Sequence, residues 1–514
     1  MDVNLPADFG FSLASRVRVC DDGAQLVADG RVVRLAPAAR RLVERAPLSI
    51  GGNRRAGDLA RLLLDRGLAD PWWPAPPPRD GDVDDVTLVV PTRDRAAAVE
   101  RLLAALPAHL PVVLVDDGSR DAAALVAVAA RYGARLVRLP VNRGPAAARN
   151  AGLRVATTPY VVFCDSDVLP EPGWLGILRR HCDDPAVAIV GPRVRGHAPC
   201  DEDSWLDRYE QARSSLDLGP TPAAVRVHGA VAYLPSAFLL VRRAALEDPA
   251  VGGAFDERMR AGEDVDLVWR LLGAGWRIRY EPAAEVRHDH RTRLGPWLAR
   301  KAFYGTSAAP LAARHSSAVA PVVLTPTTAV LSVALLAQRR WSGPVVVAAL
   351  AFATAQGAHR LGASRRPVAT AGTLAIEGAV ASGWQTASAL TRHHWPLAVL
   401  WALRSRRGRR ALLVAAVAEA LADRARVRPG LGPVRYAIAH RLDDLAYGAG
   451  VWWGVLRERS ARALLPEVRW PAAARRVQAS SIDRQSSIRS VISSARAAAS
   501  RPSRTATSAG AARR

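Results

Sequence analysis

Two aspartates one residue apart, Asp165 and Asp167, follow an apolar run that begins after Pro159 and reads Tyr160-Val161-Val162-Phe163-Cys164. An apolar run of this length, bounded by proline, predicts a buried strand of a parallel sheet. Side chains alternate along an extended chain, so both carboxylates would fall on one side and could grip a hard divalent cation through oxygen. Standing alone, the pair would be no more than a turn or helix cap. A second acidic pair, Glu263 and Asp264, precedes Val265, Val268 and Leu271 at helical spacing, which predicts a helix with both carboxylates at its amino end. Compensation of the helix dipole is the plain reading there. Between the two pairs in chemistry lies Asn142-Arg143-Gly144-Pro145, a tight turn with proline at the first position of a helix that runs through Ala146, Ala147, Ala148 and Arg149. A helix amino terminus with arginines beside it suits a diphosphate.

These groups need a scaffold, and the preceding residues describe one. Val86 to Val90, Pro111 to Val115 and Arg135 to Leu139 read as strands, and Ala96 to Leu106 and Ala122 to Tyr132 read as helices between them. Such alternation predicts an α/β fold with a mostly parallel sheet covered on both faces. Open sheets of this kind bind ligands at their carboxyl edge.

Val89-Val90-Pro91-Thr92-Arg93-Asp94, Val115-Asp116-Asp117-Gly118-Ser119, Asn142-x-Gly144 with Arg149-Asn150, and Asp165-Ser166-Asp167 stand in the order and spacing of the family 2 glycosyltransferases, which this chain resembles from Val86 to His290. The resemblance implies a GT-A fold and a nucleotide-activated sugar donor. It implies that Thr92, Asp94 and Asp117 hold uridine and that Arg149 or Arg143 stands near the nucleotide. Asp165 and Asp167 would then bind ribose and a diphosphate bridged by Mn2+ or Mg2+. The Glu263-Asp264 pair is similar to the family motif whose aspartate is the general base of inverting members, with Leu234 to Arg243 as the strand before the acceptor helix. Related enzymes place a histidine after the strand Arg277 to Tyr280 as a further metal ligand, which His288 or His290 could supply, His288 being preferred. An inverting enzyme of this type takes the acceptor proton with one carboxylate opposite the diphosphate, so an α-linked donor yields a β-linked product.

The remaining segments divide the chain into residues 1–70, 71–85, 86–310, 311–470 and 471–514. Alternating strands near Arg16 to Val19 and Arg31 to Leu35, with helices over Pro37 to Arg45 and Asp58 to Arg66, resemble a winged-helix-like unit such as the peptide-binding module of peptide-modifying enzymes. Pro71 to Pro78 reads as a stiff proline-rich linker. Behind the transferase region, Val319 to Ala337 and Val368 to Leu390 are long enough to span a bilayer, with Arg339, Arg340, Trp341, Arg360, Arg392, Trp395 and Arg404 at the edges as interfacial anchors. The last forty residues, rich in Ser, Ala and Arg, read as disordered.

The 514 residues carry a net charge of +24. Lys301 is the only lysine, so arginine carries that charge almost uniformly, and no aromatic-interleaved basic motif points to nucleic acid. Cys20, Cys164, Cys182 and Cys200 are too few and too scattered for a disulfide scaffold or a zinc site. The opening residues hold no basic-then-apolar leader, so the catalytic part is expected on the cytoplasmic side of a cell membrane, or in the cytoplasm altogether.

In layout and opening residues the chain is similar to the mycofactocin-system glycosyltransferases of actinobacteria. That resemblance implies transfer of glucose from UDP-glucose to the peptide-derived premycofactocin, as a β-1,4 chain. One alternative is a membrane-associated transferase of envelope polysaccharide or glycolipid; the Arg-Trp at Arg340-Trp341 lies in the wrong context for the Gln-x-x-Arg-Trp motif of synthases. A non-catalytic nucleotide- or lipid-binding scaffold is the other.

Overall fold

The computed structural model describes residues 5–28, 31–197, 204–362 and 364–470. The segment from residue 471 onward and Cys200 lie outside the described residues.

The strands Val86–Thr92, Val112–Asp117, Arg135–Leu139 and Tyr160–Cys164 pair in parallel, in the order 135–139, 112–117, 86–92, 160–164. Their side chains divide by parity. Val89, Val115 and Phe163 join one buried cluster, while Leu88, Val90, Leu114 and Val162 join another on the opposite face. Both faces are therefore covered, and each such side chain contributes roughly 1.5–3 kcal/mol by leaving water. The helix Pro145–Val155 lies so close to the sheet that a Cβ on Gly152 would come within 2.2 Å of Val89 Cγ1. Beyond Tyr160–Cys164 the sheet turns mixed. Phe238–Arg242 pairs antiparallel with it, followed by Val187–His197, the long strand Arg277–Asp289 and the short strand Val168–Pro170. This is the α/β architecture that the strand and helix alternation predicts, and the GT-A-like fold that the family resemblance implies.

The amino-terminal unit differs from the winged-helix expectation. Gly10–Leu13 lies between Leu48–Ser49 and Ala69–Trp72 in one three-stranded sheet, and Arg18–Cys20, Gln25–Ala28 and Arg31–Arg34 form a second. The two helices, Pro37–Val43 and Arg54–Asp65, bring Val43 and Leu63 into one buried cluster with Phe11 and Leu26 of the sheets. Segments at both ends of the unit thus become strands that local pattern left unassigned. The proline-rich stretch is not a free spacer either. Trp73 stacks edge-on against Phe9 at 5.2 Å and His181 at 5.0 Å, and the Asp80 carboxylate accepts the amides of Gly173, Leu175 and Gly176. Ion pairs of Arg61 with Asp184 (2.6 Å) and Arg279 with Asp70 (2.8 Å) fasten the unit to the mixed half of the large sheet.

Behind the sheet the chain is helical. Among the described residues no helix is long and apolar enough to cross a membrane, so the expected spanning segments are not found. The stretch read as Val319 to Ala337 breaks into a short strand, Val323–Leu324, and a twelve-residue helix, Pro326–Ala337. The helix Pro367–Ser388 has the length, but alanine, glycine, serine and threonine dilute it, and its Glu377 is paired with Arg18 at 2.7 Å.

Candidate active site

A cleft of about 480 Å³ opens at the carboxyl edge of the parallel strands, lined by Thr92, Asp117, Asp165, Asp167, Glu263 and Asp264 among others. Each reaches it for a local reason. Thr92 ends its strand with a buried hydroxyl that has no protein partner. Asp117 ends the next, and its two oxygens accept the amides of Arg143 (2.7 Å) and Gly144 (2.8 Å), so it shapes the loop that leads into Pro145–Val155. Asp94 does not line the cleft. It takes a left-handed φ of 53° and its carboxylate accepts the amide of Arg120 at 2.7 Å, locking two loops together.

Asp165 and Asp167 share the cleft for a reason other than strand alternation. The strand ends at Cys164, and the amide of Val168 bonds back to the carbonyl of Asp165 at 3.1 Å, closing a turn that sends Val168–Pro170 to pair with Arg277–Asp289. The expectation of one extended chain is corrected accordingly. Val168 lies opposite His288 in that pairing, which puts His288 Nε2 3.9 Å from Asp167 Oδ1. Burial works against the Asp167 charge, but His288 and Arg95 outweigh it and hold its carboxyl below the usual range. His290 is committed elsewhere: buried, with Nε2 2.9 Å from Asp207 Oδ1.

Opposite stands the helix Glu263–Gly273. Gly262 precedes it at φ 79°, a left-handed conformation that suits glycine and turns the first two carboxylates into the cleft. Asp264 accepts the amides of Ser236 (3.0 Å) and Val265 (2.8 Å). Burial nevertheless raises its pKa above the ordinary carboxylate value. Burial and the Asp264 charge push Glu263 up to about 7 against the pull of Arg149. Arg149 itself is buried and bridges the two halves of the site, donating to Glu263 Oε1 at 2.9 Å and Asp165 Oδ1 at 2.6 Å. Sequence places it near a nucleotide; in the fold its guanidinium is occupied by carboxylates. Arg143 is exposed and paired with Glu257 at 2.6 Å.

Several lining residues lie outside the motifs read from the sequence. Arg95 is ion-paired with Asp167, Arg260 lies just before the acidic helix, and Arg300, Phe303 and Tyr304 enter from the helix Leu294–Gly305. Only the last three had a readable feature, two aromatics and a cation on one helical face.

For a divalent ion, the available donors are carboxylate oxygens on one turn and an imidazole beside them. Among the described residues no three such side chains converge into a complete cage. That set suits an ion that keeps positions for the oxygens of a bound phosphate substrate.

Residues 87–248 match the family described as Glycosyl transferase family 2. The Pre-mycofactocin glycosyltransferase of Mycobacterium tuberculosis (strain H37Rv) is 44% identical over 483 residues, covering 90% of this chain and 99% of its own. The succinoglycan biosynthesis protein ExoU of Rhizobium meliloti is 31% identical over 207 residues, 38% of this chain and 59% of its own. Among solved structures, the mannosyltransferase PcManGT of Pyrobaculum calidifontis is 22% identical, covering 61% of this chain and 90% of that one, with a TM-score of 0.35, too loose a likeness to carry an argument.

Proposed function

Because this chain belongs to glycosyltransferase family 2 and is a glycosyltransferase, we propose that it moves glucose from UDP-glucose to premycofactocin with inversion, extending a β-1,4 chain. The observation that supports the chemistry is the one cleft in which the Asp165-Ser166-Asp167 turn faces Asp264. The acceptor is inferred from a relative matched along 99% of its length, far beyond the transferase region. ExoU, by contrast, is matched over 38% of this chain.

In this reading Thr92 and Asp117 border the nucleotide, with the orphaned Thr92 hydroxyl available to a polar atom of the donor. Asp264 takes the proton of the acceptor hydroxyl as that oxygen attacks the anomeric carbon and the bond to the diphosphate breaks. Its raised affinity for protons suits the task. Asp167 and His288, with Asp165 beside them, would hold Mn2+ or Mg2+. When bound, such an ion neutralises the charge gathering on the leaving diphosphate. Arg95 would release Asp167 as the donor arrives.

Incubation with UDP-glucose, Mn2+ and premycofactocin should give products heavier by whole hexose units, and no hexose increment would refute the assignment. His288→Ala should raise the Mn2+ concentration for half-maximal activity roughly tenfold. His290→Ala, which breaks a buried contact with Asp207, should instead lower thermal stability and leave the metal requirement unchanged.

Contact with a membrane would then be by surface. Gln338 donates to the carbonyl of Arg407 at 2.9 Å, which joins two helix turns at one end of the bundle. They expose Arg339, Arg340, Arg404 and Arg406 around Trp341 and Leu403. Arginine near an anionic leaflet contributes about 1 kcal/mol each. The protein should float with phosphatidylglycerol vesicles and not with phosphatidylcholine, and Arg339→Glu with Arg340→Glu should abolish flotation.

A further inference from the structure

The helix Leu294–Gly305 lies outside the matched transferase region and still forms one wall of the cleft. Its side chains do two kinds of work. Trp297 and Lys301 point away from the cleft. Trp297 donates to Glu210 Oε1 at 2.7 Å, and Lys301 Nζ lies 2.8 Å from Glu210 Oε1 and 3.1 Å from Asp443 Oδ2. The helix Pro433–Glu458 presses against it backbone to backbone. A Cβ on Gly450 would stand 1.8 Å from the carbonyl oxygen of Ala302, and one on Gly305 would stand 2.1 Å from that of Tyr447. Small residues and buried ion pairs thus fix the position of the wall.

Arg300, Phe303 and Tyr304 line the cleft, with Phe303 and Tyr304 three and four residues after Arg300 and so beside it. Their rings lie 6.4 Å apart, and the Arg300 guanidinium sits 5.9 Å and 5.6 Å from their centres. Phe303 is 38% exposed, and it lines the cleft without filling the core. The Tyr304 phenol is pushed up to about 12, chiefly by burial, with the charges of Asp165 and Asp264 adding to it, so the ring stands within the field of both carboxylates. Two adjoining aromatic rings, tilted 50° to one another, give a cleft otherwise lined by carboxylates and arginines an apolar wall edged by the Arg300 cation. That matches a pyranose, whose C–H face packs on aromatic rings while its hydroxyl rim stays free for polar groups.

We propose that Phe303, Tyr304 and Arg300 form the acceptor platform, on which a sugar or other hydroxyl-bearing ring lies with one hydroxyl directed to Asp264. The inference rests on the transferase reading above. It also gives the carboxyl-terminal helices a part in catalysis, as the brace of the wall that receives the acceptor.

The test uses the full chain with UDP-glucose and Mn2+, and premycofactocin as the acceptor probe. It reads acceptor KM, donor KM and UDP release without acceptor. Phe303→Ala and Tyr304→Ala should each raise acceptor KM roughly tenfold, with donor KM within about twofold of the parent. Phe303→Tyr should keep the parental acceptor KM, which a packing defect would not do. Unchanged acceptor KM in both alanine variants, or a rise confined to donor KM, overturns the platform. A parent protein that neither transfers hexose nor releases UDP overturns the transferase reading itself, and the platform with it. Because Phe303 is part-exposed, its truncation should leave the melting temperature close to the parental value, which keeps that variant decisive.

Discussion

Asp264→Asn is expected to lower kcat by about 10²–10⁴-fold, the usual contribution of a positioned base. Asparagine keeps the size of the side chain and one acceptor oxygen; since Ser236 donates to Oδ2 and Val265 to Oδ1, one of the two amides loses its acceptor, a cost of about 1–3 kcal/mol that the start of the helix should survive. What it loses is the ability to take a proton. UDP affinity, set at the opposite side of the cleft by residues such as Thr92 and Asp117, should stay within about threefold of the parental value, a change under 1 kcal/mol. The pH profile of the parent provides a second check. Burial raises Asp264, and Glu263 next to it is pushed up to about 7. The base works deprotonated, so kcat should rise with pH, and its acidic limb should lie above the range of an ordinary carboxylate. A variant turning over at the parental rate would remove Asp264 from the mechanism. Equal losses in turnover and UDP affinity would make it a structural residue.

Local pattern carried most of the sheet. The runs Val86–Thr92 and Tyr160–Cys164 are apolar because both faces are buried, and burial on both faces is visible without any knowledge of partners. The acidic helix was equally open to reading, since Val268 and Leu271 mark its inner face. Long-range encounters were not. Arg149 meets Glu263 across 114 residues, and Arg279 meets Asp70 across 209, and nothing in either neighbourhood announces the other. The turn at Asp165-Ser166-Asp167 escaped because a strand that ends and one that continues differ only in where Val168 finds its next partner. The apolar carboxyl-terminal stretches misled in another way. Their alanines and glycines serve close helix-to-helix packing, as Gly450 against Ala302 does, and a composition suited to packing resembles a diluted membrane span. Arg300, Phe303 and Tyr304 were legible as one face, but the direction of that face depends on the brace behind it.

Arg149→Met should be the most destabilising single change at the site. The guanidinium is 2% exposed and is held by Asp165 and Glu263, with the Phe255 ring 5.4 Å away. Methionine fills much of the volume but leaves two carboxylates facing each other without their cation. Removing one member of a buried ion network typically costs about 3–5 kcal/mol, which for a chain of this size, with an unfolding entropy of about 1 kcal/mol per kelvin, lowers the melting temperature by roughly 3–5 °C. The pH dependence has a definite sign. Arg149 is what restrains the rise in the Glu263 pKa, so the variant raises it further in the folded state. A carboxyl group whose folded pKa exceeds its unfolded value favours folding while protonated and loses that advantage as pH rises through the folded pKa. The stability gap between parent and variant should therefore be narrow at pH 4–5, near the unfolded carboxyl value of about 4.3, and widest above neutrality. Adding Glu263→Gln to Arg149→Met removes the stranded charge and should recover part of the loss, because residues of one network do not add independently. If the single variant melts within a degree or two of the parent at pH 8, or the double variant is no more stable than the single, Arg149 is not the cation that holds the two halves of the cleft together.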